Sequence, residues 1–296
     1  MSDFVQQQSV ECRFDSSDSW VILSPIEQSI KRKIESVGTP LKNWDIQINY
    51  GIKTGFNDAF IISTEKRNEI LDNCSSDEER TKTAELIRPI LRGRDIKRHG
   101  YNWADLWLIA TFPSRHYDIE EYPAVKTHLL SFGKERLEQT GKKYIIGGEE
   151  IKARKKTSNK WFETQDSISY WDDFFKPKIV YQELTQGCAF AFDNNGDYIV
   201  SNTAYLITGR NINYLIKLLN SKVIHFAYRH FYGTLLGNNG LRWLAQHMTN
   251  LPIPKYNGTE IQDKIIALTD ENSIEETIYQ LYDFTKEEIK HINNNI

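Results

Sequence analysis

The chain has 296 residues, a formal net charge of −3, 40 % apolar content and 12 % aromatics. That much apolar surface can bury one large core or two small ones, which excludes a disordered chain. No apolar run is long enough to span a bilayer and no signal-peptide core is present, so a cytoplasmic protein with no membrane partner is expected. Cys12, Cys74 and Cys188 stand far apart in no ligand-like spacing, which points to a reducing compartment and away from a disulfide framework or a zinc site.

Residues 1–19 are polar and mixed and read as a frayed leader. Ser24 is an N-cap with Pro25 at the first helical position; Ile26, Ile30, Ile34 and Val37 share one stripe, and Gly38 and Pro40 stop the helix. Residues 46–62 read as strand, polar loop, strand: Ile46 and Ile48 alternate before Gly51-Ile52-Lys53-Thr54-Gly55, and Phe60 and Ile62 after it. An ordinary hairpin is the plainest account of that segment. Residues 63–91 hold a helix with a polar interruption at 73–77, residues 107–112 a buried strand ending at Pro113, and residues 122–139 a helix. Residues 178–184, 189–192 and 198–200 read as short strands, with Asp193-Asn194-Asn195-Gly196 as a hairpin turn. Residues 212–231 are helical, and apolar residues from Ile261 to Ile289 recur as two short helices. The fold class is α+β, a mixed sheet with flanking and C-terminal helices. Its divisions are a leader and helix over 1–43, a main domain over 44–256 and C-terminal helices over 257–296.

Charge is unevenly spread. The last forty residues carry nine carboxylates against Lys264, Lys286 and Lys290, so the first 256 residues carry a net +3. A mildly basic body with an acidic end permits a nucleic-acid face without demanding one.

Catalytic motifs are sparse. All eight prolines are isolated, so the Asn-Pro-Pro-aromatic loop that holds a flipped adenine is absent. No glycine-rich turn suits a nucleotide phosphate or S-adenosylmethionine, and no His-Glu-x-x-His or Cys-x-x-Cys occurs. Glu150-Ile151-Lys152, with Asp118 upstream, matches half of a metal-dependent nuclease site, but Glu288-Ile289-Lys290 matches as well inside a helical pattern. The histidines are scattered, and packed or surface roles suit each. No catalytic or metal-ligating residue is assigned.

Basic loops interleaved with aromatics are the positive signal. Residues 142–161 hold Lys142, Lys143, Lys152, Arg154, Lys155, Lys156 and Lys160 and end in Trp161. Lys and Arg neutralise phosphates and release counterions; a solvated loop is the bland alternative. Arg229, Tyr232, Asn238, Asn239 and Arg242 flank a glycine-bounded loop, where Arg suits guanine and Asn suits adenine; a simple connection is the alternative. Arg92, Arg94, Lys97 and Arg98 either contact phosphates or cap the preceding helix.

Several segments stand in a characteristic order: Ser24-Pro25-Ile26-Glu27-Gln28, residues 40–44, residues 50–62, Arg88-Pro89-Ile90-Leu91-Arg92-Gly93, Lys176-Pro177-Lys178-Ile179-Val180-Tyr181, Leu218-Leu219-Asn220-Ser221 and Leu251-Pro252-Ile253-Pro254. In this order and at these separations, the set resembles the C-terminal specificity domain of TaqI-like restriction-modification enzymes and, more distantly, the recognition domains of type I specificity subunits. The resemblance implies a reader of short duplex DNA sequences that positions DNA for an adenine-N6 methyltransferase, or methyltransferase-nuclease, in a domain or partner absent from this chain. S-adenosylmethionine, with Mg²⁺ where cleavage also occurs, would belong to that catalytic part. Gly51 and Gly55 map to the family's turn glycines, and Lys53, Thr54 and Asn57 match polar positions that approach DNA. The first helix and the acidic C-terminal helices would dock the partner. A protein-interaction module without DNA binding is the competing class.

Overall fold

The computed structural model describes residues 23–237 and 240–296. They fall into two compact units. One is built from the described residues up to Ile46, Leu184–Cys188 and Arg210–Ile296; the other from Gln47–Glu183 and Ala189–Gly209. The fold is α+β with mixed sheets, as the alternation of strand and helix patterns implied.

The first unit is mostly helical. Helix Pro25–Val37 starts in a capping box, with Ser24 and Glu27 satisfying each other's backbone N–H groups. Ile30 and Ile34 of its stripe are fully buried. The long helix expected over 212–231 is broken. Ile212–Leu219 ends at Asn220, Ser221 caps Lys222–Ala227 by accepting from the Ile224 N–H, and a π-helical turn runs Tyr228–Tyr232. Serine competes locally for backbone donors, so it restarts a helix more readily than it continues one.

The acidic end forms three helices rather than two: Glu260–Ala267, Glu271–Leu281 and Lys286–Asn294. The third begins in a Thr285–Glu288 capping box. Glu288 is itself buried, accepting from Ser29 Oγ at 2.7 Å and Lys33 Nζ at 2.8 Å, so this helix packs on Pro25–Val37.

The second unit holds two four-stranded sheets. One runs Phe190–Asp193, Lys178–Gln182, Ala204–Gly209, Ile46–Tyr50. The other runs Ile199–Val200, Ile87–Leu91, Leu106–Ile109, Ile61–Ser63, with its first pair parallel and the rest antiparallel. Ile87, Ile90, Leu108, Val180, Leu206 and Phe112 belong to one continuous buried cluster.

Two local expectations are corrected here. Residues 46–62 do not form a hairpin: Ile46–Tyr50 and Ile61–Ser63 lie in different sheets, and Asn57–Phe60 is a helical turn. Nor do residues 193–196 make one, because Ile199–Val200 runs parallel to Ile87–Leu91 instead of returning along Phe190–Asp193. Asp193 has another duty. It lies opposite Lys178 in register, and the two fully buried side chains pair at 2.5 Å. The same carboxylate accepts from the N–H groups of Asp197 and Tyr198.

A candidate DNA-reading surface

The glycine-bounded loop sits where three segments of the second unit meet. Gly51 approaches the backbone so closely that a Cβ would lie 2.0 Å from the Ser201 carbonyl oxygen and 2.4 Å from that of Val200. Gly55 has φ +79°, in the left-handed region that favours glycine. Both glycines are therefore demanded by the fold.

Thr54 is corrected as a DNA contact. It is 1 % exposed, its hydroxyl donates to Asn57 Oδ1 at 2.7 Å, and it accepts from the Phe56 N–H. It shapes the turn into Asn57–Phe60, while Lys53 and Asn57 remain exposed on either side.

Arg154 is corrected too. Read as one of a run of phosphate-binding cations, it is 4 % exposed and points inward. Its Nε donates to the Leu137 carbonyl at 2.7 Å, one terminal nitrogen to the carbonyls of Thr54 and Glu163 at 2.8 Å each, and the other to that of Trp161 at 2.6 Å. The guanidinium also lies 5.0 Å over the Phe60 ring. Burial pushes its pKa down to about 10, with Glu163 opposing, so it stays charged at neutral pH. A single cation thus ties the glycine loop, the end of helix Lys134–Leu137 and residues 161–163 into one body. Gln139 assists, donating to the Lys160 and Glu163 carbonyls.

Arg92 is spent in a similar way. Its Nε and terminal nitrogen chelate Asp95 at 2.9 and 2.7 Å, and its backbone N–H adds a third bond. Burial raises Asp95, but these bonds more than offset it and hold the carboxyl below its usual range. Arg94 and Lys97 are exposed on the same loop, where the Lys97 ammonium donates to the Arg94 carbonyl.

What Arg154 supports is an open cleft of about 330 Å³ lined by Gly55, Phe56, Arg136, Lys152, Ala153, Arg154 and Lys155. Arg136 was missed from sequence; its guanidinium stacks 4.6 Å from the Phe56 ring centroid. Nothing in the local pattern around Arg136 separates it from ordinary helix-surface charge. Lys152 and Lys155 of the basic run do converge here, and Lys156 and Lys160 are exposed just beyond. Such a concentration of cations around an aromatic is suited to a phosphate backbone.

Arg229, Tyr232 and Arg242 lie in the first unit. The Tyr232 hydroxyl donates to Glu35 at 3.0 Å, anchoring the π-helical turn to the first helix, and Arg229 is half-buried beside it. Arg242 is exposed on strand Gly240–Arg242, opposite Leu184 and Thr234. Asn238 and Asn239 lie outside the described residues. Glu150 and Lys152 of the half nuclease motif stand on an exposed strand, and Glu150 pairs with Lys143 at 2.9 Å. Among the described residues no group of three or more His, Cys, Asp or Glu is placed to hold a metal ion, and no helix is long and apolar enough to cross a membrane.

A profile of the TaqI-like C-terminal specificity domain matches residues 88–253, more than half of the chain. The chain belongs to that family. Among solved structures it is similar to the type IIL restriction-modification enzyme MmeI, determined in complex with DNA. The match has a TM-score of 0.57 and 15 % identity, over 87 % of this chain and 36 % of that one. A weaker likeness is to the type IIG restriction endonuclease BpuSI, with a TM-score of 0.48 and 14 % identity over 86 % and 27 % of the two chains. The chain therefore spans about a third of the length of MmeI. No curated protein matches the sequence.

Proposed function

We propose that this chain reads a short duplex DNA sequence within a restriction-modification system and holds the DNA for a methyltransferase or methyltransferase-nuclease supplied by another domain or subunit. S-adenosylmethionine, and Mg²⁺ for any cleavage, act in that catalytic part; the residues of this chain bind and orient. The observation that carries the reading is the convergence of Arg136, Lys152 and Lys155 on one open cleft in a member of the specificity-domain family. Lys53, Lys156 and Lys160 are further exposed cations of the same unit. Its phosphate contacts set register and supply affinity common to all sequences, whereas base-edge contacts choose among them.

The test is retention of a randomised duplex pool by the purified chain at low and moderate salt, followed by sequencing. An enriched short motif is expected. Lys152→Ala and Lys155→Ala should weaken all sequences alike, and each should reduce the slope of log affinity against log salt by about 1. No retention at low salt would overturn the reading in favour of a protein-interaction module.

A further inference from the structure

Strands Lys143–Ile146 and Glu149–Lys152 form a hairpin with two exposed isoleucines, each opposite a glutamate, near its tip and lysines at its base. Ile145 is 81 % exposed and Ile146 43 %. The two central turn residues, Gly147 and Gly148, have φ of +60° and +88°, the positive pair that a tight two-residue hairpin turn needs. A Cβ on either would meet nothing within 4 Å, so the tip projects into open space.

Register separates the two faces. Tyr144 lies opposite Ile151, both are half-buried, and the Tyr144 hydroxyl donates to Glu138 at 2.6 Å, so this face is anchored to the body. The other face presents Lys143 opposite Lys152 near the base, and Ile145 opposite Glu150 near the tip, all exposed. The Lys143–Glu150 ion pair stiffens that face.

We infer that this ribbon enters the major groove of duplex DNA and that Ile145 reads a thymine through its C5-methyl group. The inference rests on the DNA-reading function proposed above and names one residue that would choose sequence. Dimensions agree. Four residues per strand give a reach of about 13 Å, and the major groove, about 12 Å wide and 8.5 Å deep, admits a two-stranded ribbon. Charge is arranged to suit. Lys142, Lys143, Lys152, Lys155 and Lys156 cluster at the base, at the level of the phosphates. Glu149 and Glu150 sit nearer the tip, away from phosphates; Glu150 is held by Lys143, and Glu149 is exposed where a carboxylate can accept from an amino group on a base edge. Lysine is depleted at protein–protein interfaces relative to the rest of a surface, so exposed lysines behind the tip favour a phosphate-bearing partner.

The experiment compares two randomised duplex pools, one with thymine and one with deoxyuridine in its place, each selected with the wild-type chain and with Ile145→Ser. Because Ile145 is exposed, the variant should keep the wild-type circular dichroism and melting temperature. The expected result is a motif containing a thymine that Ile145→Ser no longer prefers. Wild type should discriminate against uracil at that position by about tenfold, and the variant should not. An enriched motif that is identical for wild type and Ile145→Ser, with no thymine preference lost, overturns the inference and leaves the DNA-reading function standing. If that unchanged motif is accompanied by loss of self-association in sedimentation, the tip belongs to a protein contact. No retention by either chain in either pool overturns both readings together.

Discussion

Arg154 sits in a run of cations yet belongs to the interior, and the consequence can be measured. Replacing it with Met removes four hydrogen bonds to the carbonyls of Leu137, Thr54, Glu163 and Trp161. Bonds to a charged group contribute at least about 1.5 kcal/mol each, or about 6 kcal/mol together. Burial of the cation offsets part of this. The fall of its pKa from 12.5 to about 10 corresponds to about 3 kcal/mol. A net loss of about 3 kcal/mol follows, with four carbonyls left in search of water. With a urea dependence of about 2 kcal/mol/M, the unfolding midpoint should fall by about 1.5 M. Arg154→Lys should recover little, because an ammonium has only three donors and no fork to span four carbonyls. Lys155→Ala and Lys156→Ala, on exposed side chains, should stay within about 0.5 kcal/mol of wild type. The assay is urea unfolding followed by circular dichroism for all four variants. A wild-type midpoint for Arg154→Met, combined with the same loss of salt-dependent DNA retention as Lys155→Ala, would refute the reasoning.

Other expectations follow from the same geometry. Gly51→Ala forces a methyl into the Ser201 and Val200 carbonyls and should cost about 3 kcal/mol; calorimetry should show a melting temperature lower by about 6–12 °C, and a change under about 2 °C would count against the close approach. Lys178→Ala strands the Asp193 carboxylate in the core and should destabilise by about 3–5 kcal/mol in denaturant titration; a near-neutral effect would show that water reaches the pair. His128 is half-buried, and burial lowers its pKa despite the opposing bond from its ring to the Ala59 carbonyl at 3.0 Å. Its unfolded form therefore takes up a proton first. Stability should be intact above about pH 6.5 and fall as the pH drops from there. Glu79, Asp95 and Glu288, whose pKa values are also lowered, give up their contributions only below about pH 4.5, so the windows separate. His128→Gln should flatten the stability profile just below about pH 6.5; an unchanged slope would assign the effect elsewhere.

Local chemistry was legible in the amino-acid order alone. The Ser24–Glu27 cap, the Ile30 and Ile34 stripe and the placement of most elements depend on neighbours a few residues apart, and those interactions are written in spacing. The family resemblance, too, is a matter of order and separation, and it extended upstream of Arg88, where the profile match begins. Breaks in helices were less visible: Asn220-Ser221 reads as a continuation by periodicity, and only the serine's competition for backbone donors ends the run. Pairing between strands was not legible. Ile46–Tyr50 joins Ala204–Gly209 across more than 150 residues of chain, and nothing near Gly51 announces that partner. The site divides along the same line. A basic run shows that cations are present but not which way they face. Only the tertiary structure could turn Arg154 and Arg92 inward, keep Lys152 and Lys155 outward and bring Arg136 beside Phe56, because burial of a side chain is decided by segments remote in sequence.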